Sequence, residues 1–232
     1  MKKVIESLTA LILLFLISSF SASDLTAQET RDLDRFTGIG IAISADVFYT
    51  PGNSHEIRIE GNSKDVKDLV TKVENGYLKL KYDNWKTKRS KLTIYITSKE
   101  LDKVGLSGSG DFKTTKPVSS EEMTIAISGS GTVLFTALEA EEVDVKISGS
   151  GDAILEKGMA EEVDVKISGS GKVLAEYFET SEFSAGISGS GSVRITVKDE
   201  LEARISGSGG IYYHGTPQVN STSSGSGKVK SL

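Results

Sequence analysis

The stretch AEEVDVKISGSG occupies Ala140–Gly151 and returns letter for letter at Ala160–Gly171. Its tail, Ser-Gly-Ser-Gly, occurs seven times, starting at Ser107, Ser128, Ser148, Ser168, Ser188, Ser206 and Ser224, at intervals of 21, 20, 20, 20, 18 and 18 residues. A flexible Gly/Ser linker does not recur at a near-constant period with apolar residues locked in phase around it. A period near twenty marks stacked structural units instead.

Parity identifies the unit. The residue before each of the first six tetrads is Leu106, Ile127, Ile147, Ile167, Ile187 or Ile205, and two residues earlier stand Val104, Ile125, Val145, Val165, Ala185 and Ala203. Six residues after this reference position stand Phe112, Val133, Ala153, Val173, Val193, Ile211 and Val229. The even positions are mostly apolar, and period two is the signature of strands with one buried face. Each unit therefore sends one strand into the tetrad and another out of it, with a third short strand expected around Ala137–Glu139. Successive units lie parallel, about 4.8 Å apart.

The predicted fold is all-β: a single-stranded, right-handed parallel β-helix with about 20 residues per coil. Its glycines, Gly108, Gly110, Gly129, Gly131, Gly149, Gly151, Gly169, Gly171, Gly189, Gly191, Gly207 and Gly209, form a structural turn column. Two explanations for them are open. Glycine reaches positive φ at a corner, or inward glycines let a neighbouring wall come close.

The solenoid is assigned to residues 105–232 and a β-rich segment to residues 30–104. That segment either continues the solenoid or packs on it. Ile39, Ile41 and Ile43 alternate with small residues, and Pro51-Gly52-Asn53 marks a turn before a strand at Glu56–Ile59. Ser63 is positioned to cap a short helix over Lys64–Val73, and Asn75-Gly76 is a turn leading into an alternating strand, Tyr77–Tyr82.

At the N-terminus, Lys2 and Lys3 precede an apolar run from Leu8 to Phe20, followed by small residues. This is the layout of a signal peptide, residues 1–23, with a second cleavage option as late as Ala27. The run is too short to span a membrane comfortably. The chain has no cysteine, so export brings neither disulfides nor lipid attachment through an N-terminal thiol. The expected location is the periplasm, the outer cell surface or, as a secreted protein, outside the cell. A net charge of −5 does not suit a nucleic-acid partner, which selects basic surfaces.

The stretches FTGIGIAISADVFYTPG (Phe36–Gly52), VENGYLKLKY (Val73–Tyr82), the ISGSG series and ISGSGGIYYHGTP (Ile205–Pro217) resemble the auto-transporter adhesin head domains of the GIN type, which are widespread in Bacteroidetes. The resemblance runs from Phe36 to the C-terminus. It implies a β-helical fold and export, with an adhesin-like role. Ser223 departs from the pattern, standing where an apolar residue is usual.

Candidate chemistry is sparse. His55 and His214 lie in unrelated contexts, and no elbow motif or zinc spacing accompanies them. No cofactor is expected. An acidic column, Glu122, Glu142, Glu162, Glu182 and Glu200, faces outward. Of these, Glu142, Glu162 and Glu182 are weak candidates for a hard cation such as Ca²⁺, with Lys146, Lys166 and Arg204 nearby to offset the charge. A second outward column carries Leu134, Ile154, Leu174 and, two coils on, Tyr212. An outward apolar stripe calls for a cover: the N-terminal segment of the same chain, a second copy, or a ligand or surface partner. The expected function is a non-catalytic, adhesin-like or envelope-scaffold binding protein for a glycan or protein partner, with homo-oligomer formation an option. The alternatives are a carbohydrate-active β-helix enzyme and a module that binds lipid or another hydrophobic ligand between the N-terminal segment and the solenoid.

Overall fold

The computed structural model describes residues 26–83 and 88–232. The chain is a β-solenoid of about 6 turns with about 20 residues per turn. The N-terminal strands are β1 (Thr26–Asp32), β2 (Gly38–Ile41), β3 (Ala45–Pro51) and β4 (Glu56–Asn62). Helix α1 (Ser63–Asp68) follows, and then β5 (Leu69–Glu74), β6 (Tyr77–Tyr82) and β7 (Leu92–Ser98). The repeats contribute β8 (Lys103–Gly108), β9 (Asp111–Thr114), β10 (Val118–Gly129), β11 (Thr132–Phe135), β12 (Leu138–Gly149), β13 (Asp152–Leu155) and β14 (Gly158–Gly169). The last turns are β15 (Lys172–Gly189), β16 (Ser192–Gly207), β17 (Gly210–His214), β18 (Gln218–Gly225) and β19 (Lys228–Ser231).

The wall entering each tetrad is a parallel stack in which β8, β10, β12, β14, β15 and β16 pair in turn. Its register puts Ile127, Ile147, Ile167, Ile187 and Ile205 one above another. Each is at most 3% exposed. Burying such a side chain contributes roughly 1.5–3 kcal/mol, so the repeated column is a main source of cohesion. The wall leaving the tetrad stacks β9, β11, β13, β15, β16, β17 and β19. Beneath it Tyr49, Phe112 and Phe135 form a run of rings with centroids 6.2 and 5.9 Å apart. The expected third strand does not stand alone. Leu138 opens a single 12-residue strand, β12, that continues through Val143 to Gly149. Ladder pairing lapses at Ala140 and Glu141 between β12 and β14, so the third wall and the entering wall share one bent strand.

The two explanations for the tetrad glycines divide between its two glycines. Gly149, the first of its pair, has φ 128°. Gly151 does not, but a Cβ there would stand 2.6 Å from both the Gly131 carbonyl oxygen and Cγ2 of Ile127. The first glycine turns the corner and the second admits the coil below. The backbone closes the stack: the amide of Ser150 donates to the Gly129 carbonyl at 2.9 Å, and that of Ser170 to the Gly149 carbonyl at 2.9 Å.

The N-terminal strands are interleaved with the repeats. β2 pairs in parallel with β8 on one side and β6 on the other. β3 does the same between β9 and β7. The coil made by β2 and β3 thus lies between two coils that come later in the chain. β4 pairs antiparallel with β7, β1 antiparallel with β4, and β5 antiparallel with β6, so this end closes with reversed strands.

The helix is shorter than the sequence suggests. Asn62, not Ser63, caps it, its Oδ1 accepting from the Lys64 amide at 3.0 Å. The guanidinium of Arg31 donates to the carbonyls of Val66 (2.9 Å) and Leu69 (2.7 Å) at the other end. Leu69–Glu74, expected as the second half of the helix, forms the first arm of a hairpin with β6. The turn at Asn75 (φ 53°) and Gly76 (φ 74°) and the β-branched Val70, Thr71 and Val73 favour the strand. The signal-peptide assignment, residues 1–23, lies outside the described residues.

Candidate functional site

On the outer side of the entering wall a groove of about 760 Å³ crosses seven strands: β6, β2, β8, β10, β12, β14 and β15. Its floor follows one line of register, Lys79, Gly40, Gly105, Ala126, Lys146, Lys166 and Gly186. Beside it runs the exposed serine line Ser107, Ser128, Ser148 and Ser168. Small residues at Gly40, Gly105, Ala126 and Gly186 leave the depression, and the aliphatic stems of Lys146 and Lys166 border it. At one end the Tyr77 ring crosses the glycines: a Cβ at Gly40 would stand 2.5 Å from its Cε1, and one at Gly105 2.5 Å from its hydroxyl. Burial raises the pKa of that phenol.

Four lysines line the groove, Lys79, Lys81, Lys146 and Lys166, and among the described residues no carboxylate does. The acids that pair with them stand outside it. Lys146 binds Asp144 at 3.0 Å, Lys166 binds Asp164 at 2.6 Å, and Lys81 binds Asp83 at 2.6 Å. Lys79 binds Glu74. The hydrogen bond that Lys166 donates to Asp164 raises the pKa of the lysine and holds it as an ammonium. The floor combines small residues, aliphatic stems and cations, a surface suited to an apolar chain with an anionic end. The sequence carried a signal for it: the residue just before the reference isoleucine reads Gly105, Ala126, Lys146, Lys166, Gly186 and Arg204, small or long-stemmed throughout.

The acidic column is in register: Glu122, Glu142, Glu162, Glu182 and Glu200 are successive ladder partners. Lys146, Lys166 and Arg204, expected to offset it, instead pair with Asp144, Asp164 and Glu202 on their own strands. Among the described residues no three acidic or imidazole side chains converge to hold a metal ion, because side chains stacked along a ladder point in parallel. A second groove, about 950 Å³, does gather acids: Glu100, Asp102, Glu121, Glu122, Glu139 and Glu141. There Arg35, bonded at 2.7 Å, holds the Glu100 carboxyl below its ordinary pKa, the opposite direction to a general acid.

Leu134, Ile154 and Leu174 are ladder neighbours, continued by Arg194 and Tyr212. All three aliphatics are half-buried. Among the described residues, the outermost N-terminal strand, β1, pairs with β4 at the end of the solenoid and not over this stripe. The same line runs the other way through Lys113 to Phe48 and Tyr95, whose rings stack at 5.4 Å, with Arg58 3.9 Å over Tyr95. That extension was not legible, because residues 30–104 lack the tetrad that sets the register. The two histidines stay apart: His55 packs edge-on to Phe36 at 5.4 Å, and His214 meets Glu176 at 3.3 Å. No described helix is long and apolar enough to cross a membrane.

The fold has close counterparts among solved structures. A putative adhesin from Bacteroides fragilis NCTC 9343 is 24% identical, with a TM-score of 0.86 over 90% of this chain and 98% of that one. A putative adhesin from Parabacteroides merdae ATCC 43184 is 23% identical, with a TM-score of 0.74 over 90% and 97%. A protein from Parabacteroides distasonis ATCC 8503, named a putative lipid binding protein, is 22% identical, with a TM-score of 0.75 over 90% and 98%. No curated protein matches the chain. The family model described as "Putative auto-transporter adhesin, head GIN domain" matches residues 35–217, which take in both the interleaved coils and the tetrad coils up to β17, and the chain belongs to that family.

Proposed function

We propose that this is an exported, non-catalytic binding protein of the adhesin type, whose outer solenoid faces meet a partner at the cell surface. The observation that carries the reading is the outward line from Tyr95 and Phe48 through Leu134, Ile154 and Leu174 to Tyr212. Apolar and aromatic side chains held in register on a rigid sheet, with cations between them, suit recognition of a partner. Family membership supports a surface role. The test combines fractionation of native cells with binding of the purified chain to a glycan array and to surface proteins. Recovery in the cytoplasm, or release of reducing ends from a polysaccharide panel, overturns the reading.

A second reading is favoured by the groove. Its volume lies within the range of small-molecule sites, its wall draws on strands of both the N-terminal segment and the repeats, and one structural relative is named for lipid binding. In this reading the chain carries a hydrophobic ligand. Mass spectrometry of an organic extract from the native protein tests it; an extract free of any apolar molecule counts against it.

A further inference from the structure

Resting on the second reading, we propose that the groove takes one single-chain anionic amphiphile of the fatty-acid class, its chain over Gly186 and its acidic head at the lysines. The argument begins with a contrast between glycines on the same outward line. Gly40 and Gly105 are covered by the Tyr77 ring, so their lack of a side chain is explained by what sits on them. Gly186 occupies the same line, yet nothing lies within 4 Å of a Cβ built there, and its backbone is not left-handed. A glycine inside a strand weakens it unless another group approaches closely. Tyr77 exemplifies such a group at one end of the groove, and at Gly186 the seat is open.

The charge pattern identifies the occupant. In a chain of net charge −5, the groove has four lysines and, among the described residues, no carboxylate. Each ammonium has three donors, and the ion pairs that hold these lysines lie off the groove. Beyond the Tyr77 ring the floor runs from Ala126 to Gly186, three spacings of about 4.8 Å or about 14 Å, which accommodates an extended acyl chain of medium length. The site is a depression, and the exposed large apolar side chains among the described residues, Met159, Tyr177, Val219 and Leu232, do not line it. The proposed occupant is therefore a free amphiphile and not a bilayer surface.

The experiment titrates the purified chain with dansyl-labelled undecanoic acid and with its methyl ester, following dansyl emission. The acid is expected to saturate at one site and the ester to bind about tenfold more weakly, as befits loss of a charge-assisted hydrogen bond. Lys146→Gln/Lys166→Gln should weaken the acid and leave the ester unchanged. Gly186→Val should weaken both while the melting temperature holds or rises, an outcome that separates a filled seat from a damaged fold. If acid and ester bind alike, or Gly186→Val binds like the parent, the proposed placement is wrong although the hydrophobic-ligand reading stands. If neither probe binds, that reading falls too. Adsorption to phosphatidylglycerol vesicles without binding of the free acid also overturns the proposal.

Discussion

The ring of Tyr77 crosses the backbone of Gly40 so closely that a Cβ at Gly40 would stand 2.5 Å from Cε1 and 2.9 Å from the hydroxyl. A tyrosine of β6 thereby ties β2 and β8 together from outside. Gly40→Ala should cost about 1–3 kcal/mol in urea unfolding through overpacking. In the Tyr77→Ala background the same change should cost much less, because the pair is coupled. Additive losses would show that the ring does not set the requirement.

At the corners, Gly149→Ala should cost about 2 kcal/mol or more. Its φ of 128° is strained for alanine, and the new Cβ would stand 2.6 Å from the Gly129 carbonyl oxygen. Ser148→Ala, at an exposed position, should stay within about 0.5 kcal/mol of the parent. Thermal unfolding of the two variants side by side checks the difference.

Asp65 is 8% exposed. Its carboxylate accepts from the Ser90 amide at 2.8 Å and from Arg89 at 3.2 Å, and Arg89 in turn lies 3.6 Å over the Tyr82 ring. Asp65→Ala should cost about 3 kcal/mol, because it removes one partner of a largely buried ion pair and strips the Ser90 amide of its acceptor. Urea unfolding measures the loss, and amide exchange around Ser90 reports where it falls.

Glu74 accepts hydrogen bonds from Lys72 and Lys79, which hold its carboxyl pKa down to about 2. A depressed folded-state pKa contributes stability above the unfolded value, near 4.3. That contribution fades as pH falls toward about 2. Amide exchange in the β5–β6 hairpin should therefore quicken between pH 4 and 2 beyond its intrinsic trend. Glu74→Gln should remove that extra dependence. Identical profiles would place the pair's effect below detection.

Ile154 stands between Leu134 and Leu174 on the outward line. Ile154→Asp should lower stability by about 1 kcal/mol through lost cross-strand contacts and abolish any self-association that uses this stripe. Sedimentation velocity and a melting curve together check this. A variant that melts and sediments like the parent would mark the stripe as idle.

What could be read from the letters follows from how the coils repeat. Where the period is 20, partners such as Ala126, Lys146 and Lys166 are fixed by counting, and both walls follow. In residues 30–104 the partners are Gly38 with Lys103 and with Tyr77, and no repeated letters connect them. The helix boundary failed for a related reason: Val66, Leu69, Val70 and Val73 satisfy helical spacing, but a hairpin turn immediately after them selects the strand. The groove escaped notice because outward glycines and alanines are silent in an apolar count. Their meaning depends on what lies over them, which only the packing of Tyr77 reveals.

Solenoids generally come apart coil by coil from an open end. Here the interleaved coil β2–β3 is held on both sides by strands later in the chain, so once β1, which pairs with β4 alone, has peeled away, further tension from the N-terminal side meets a clasp. Unravelling is directed to the opposite end, where β18 and β19 each have a neighbour on one side only. The molecule is thus mechanically polar, with one tether point that resists pull and one that yields.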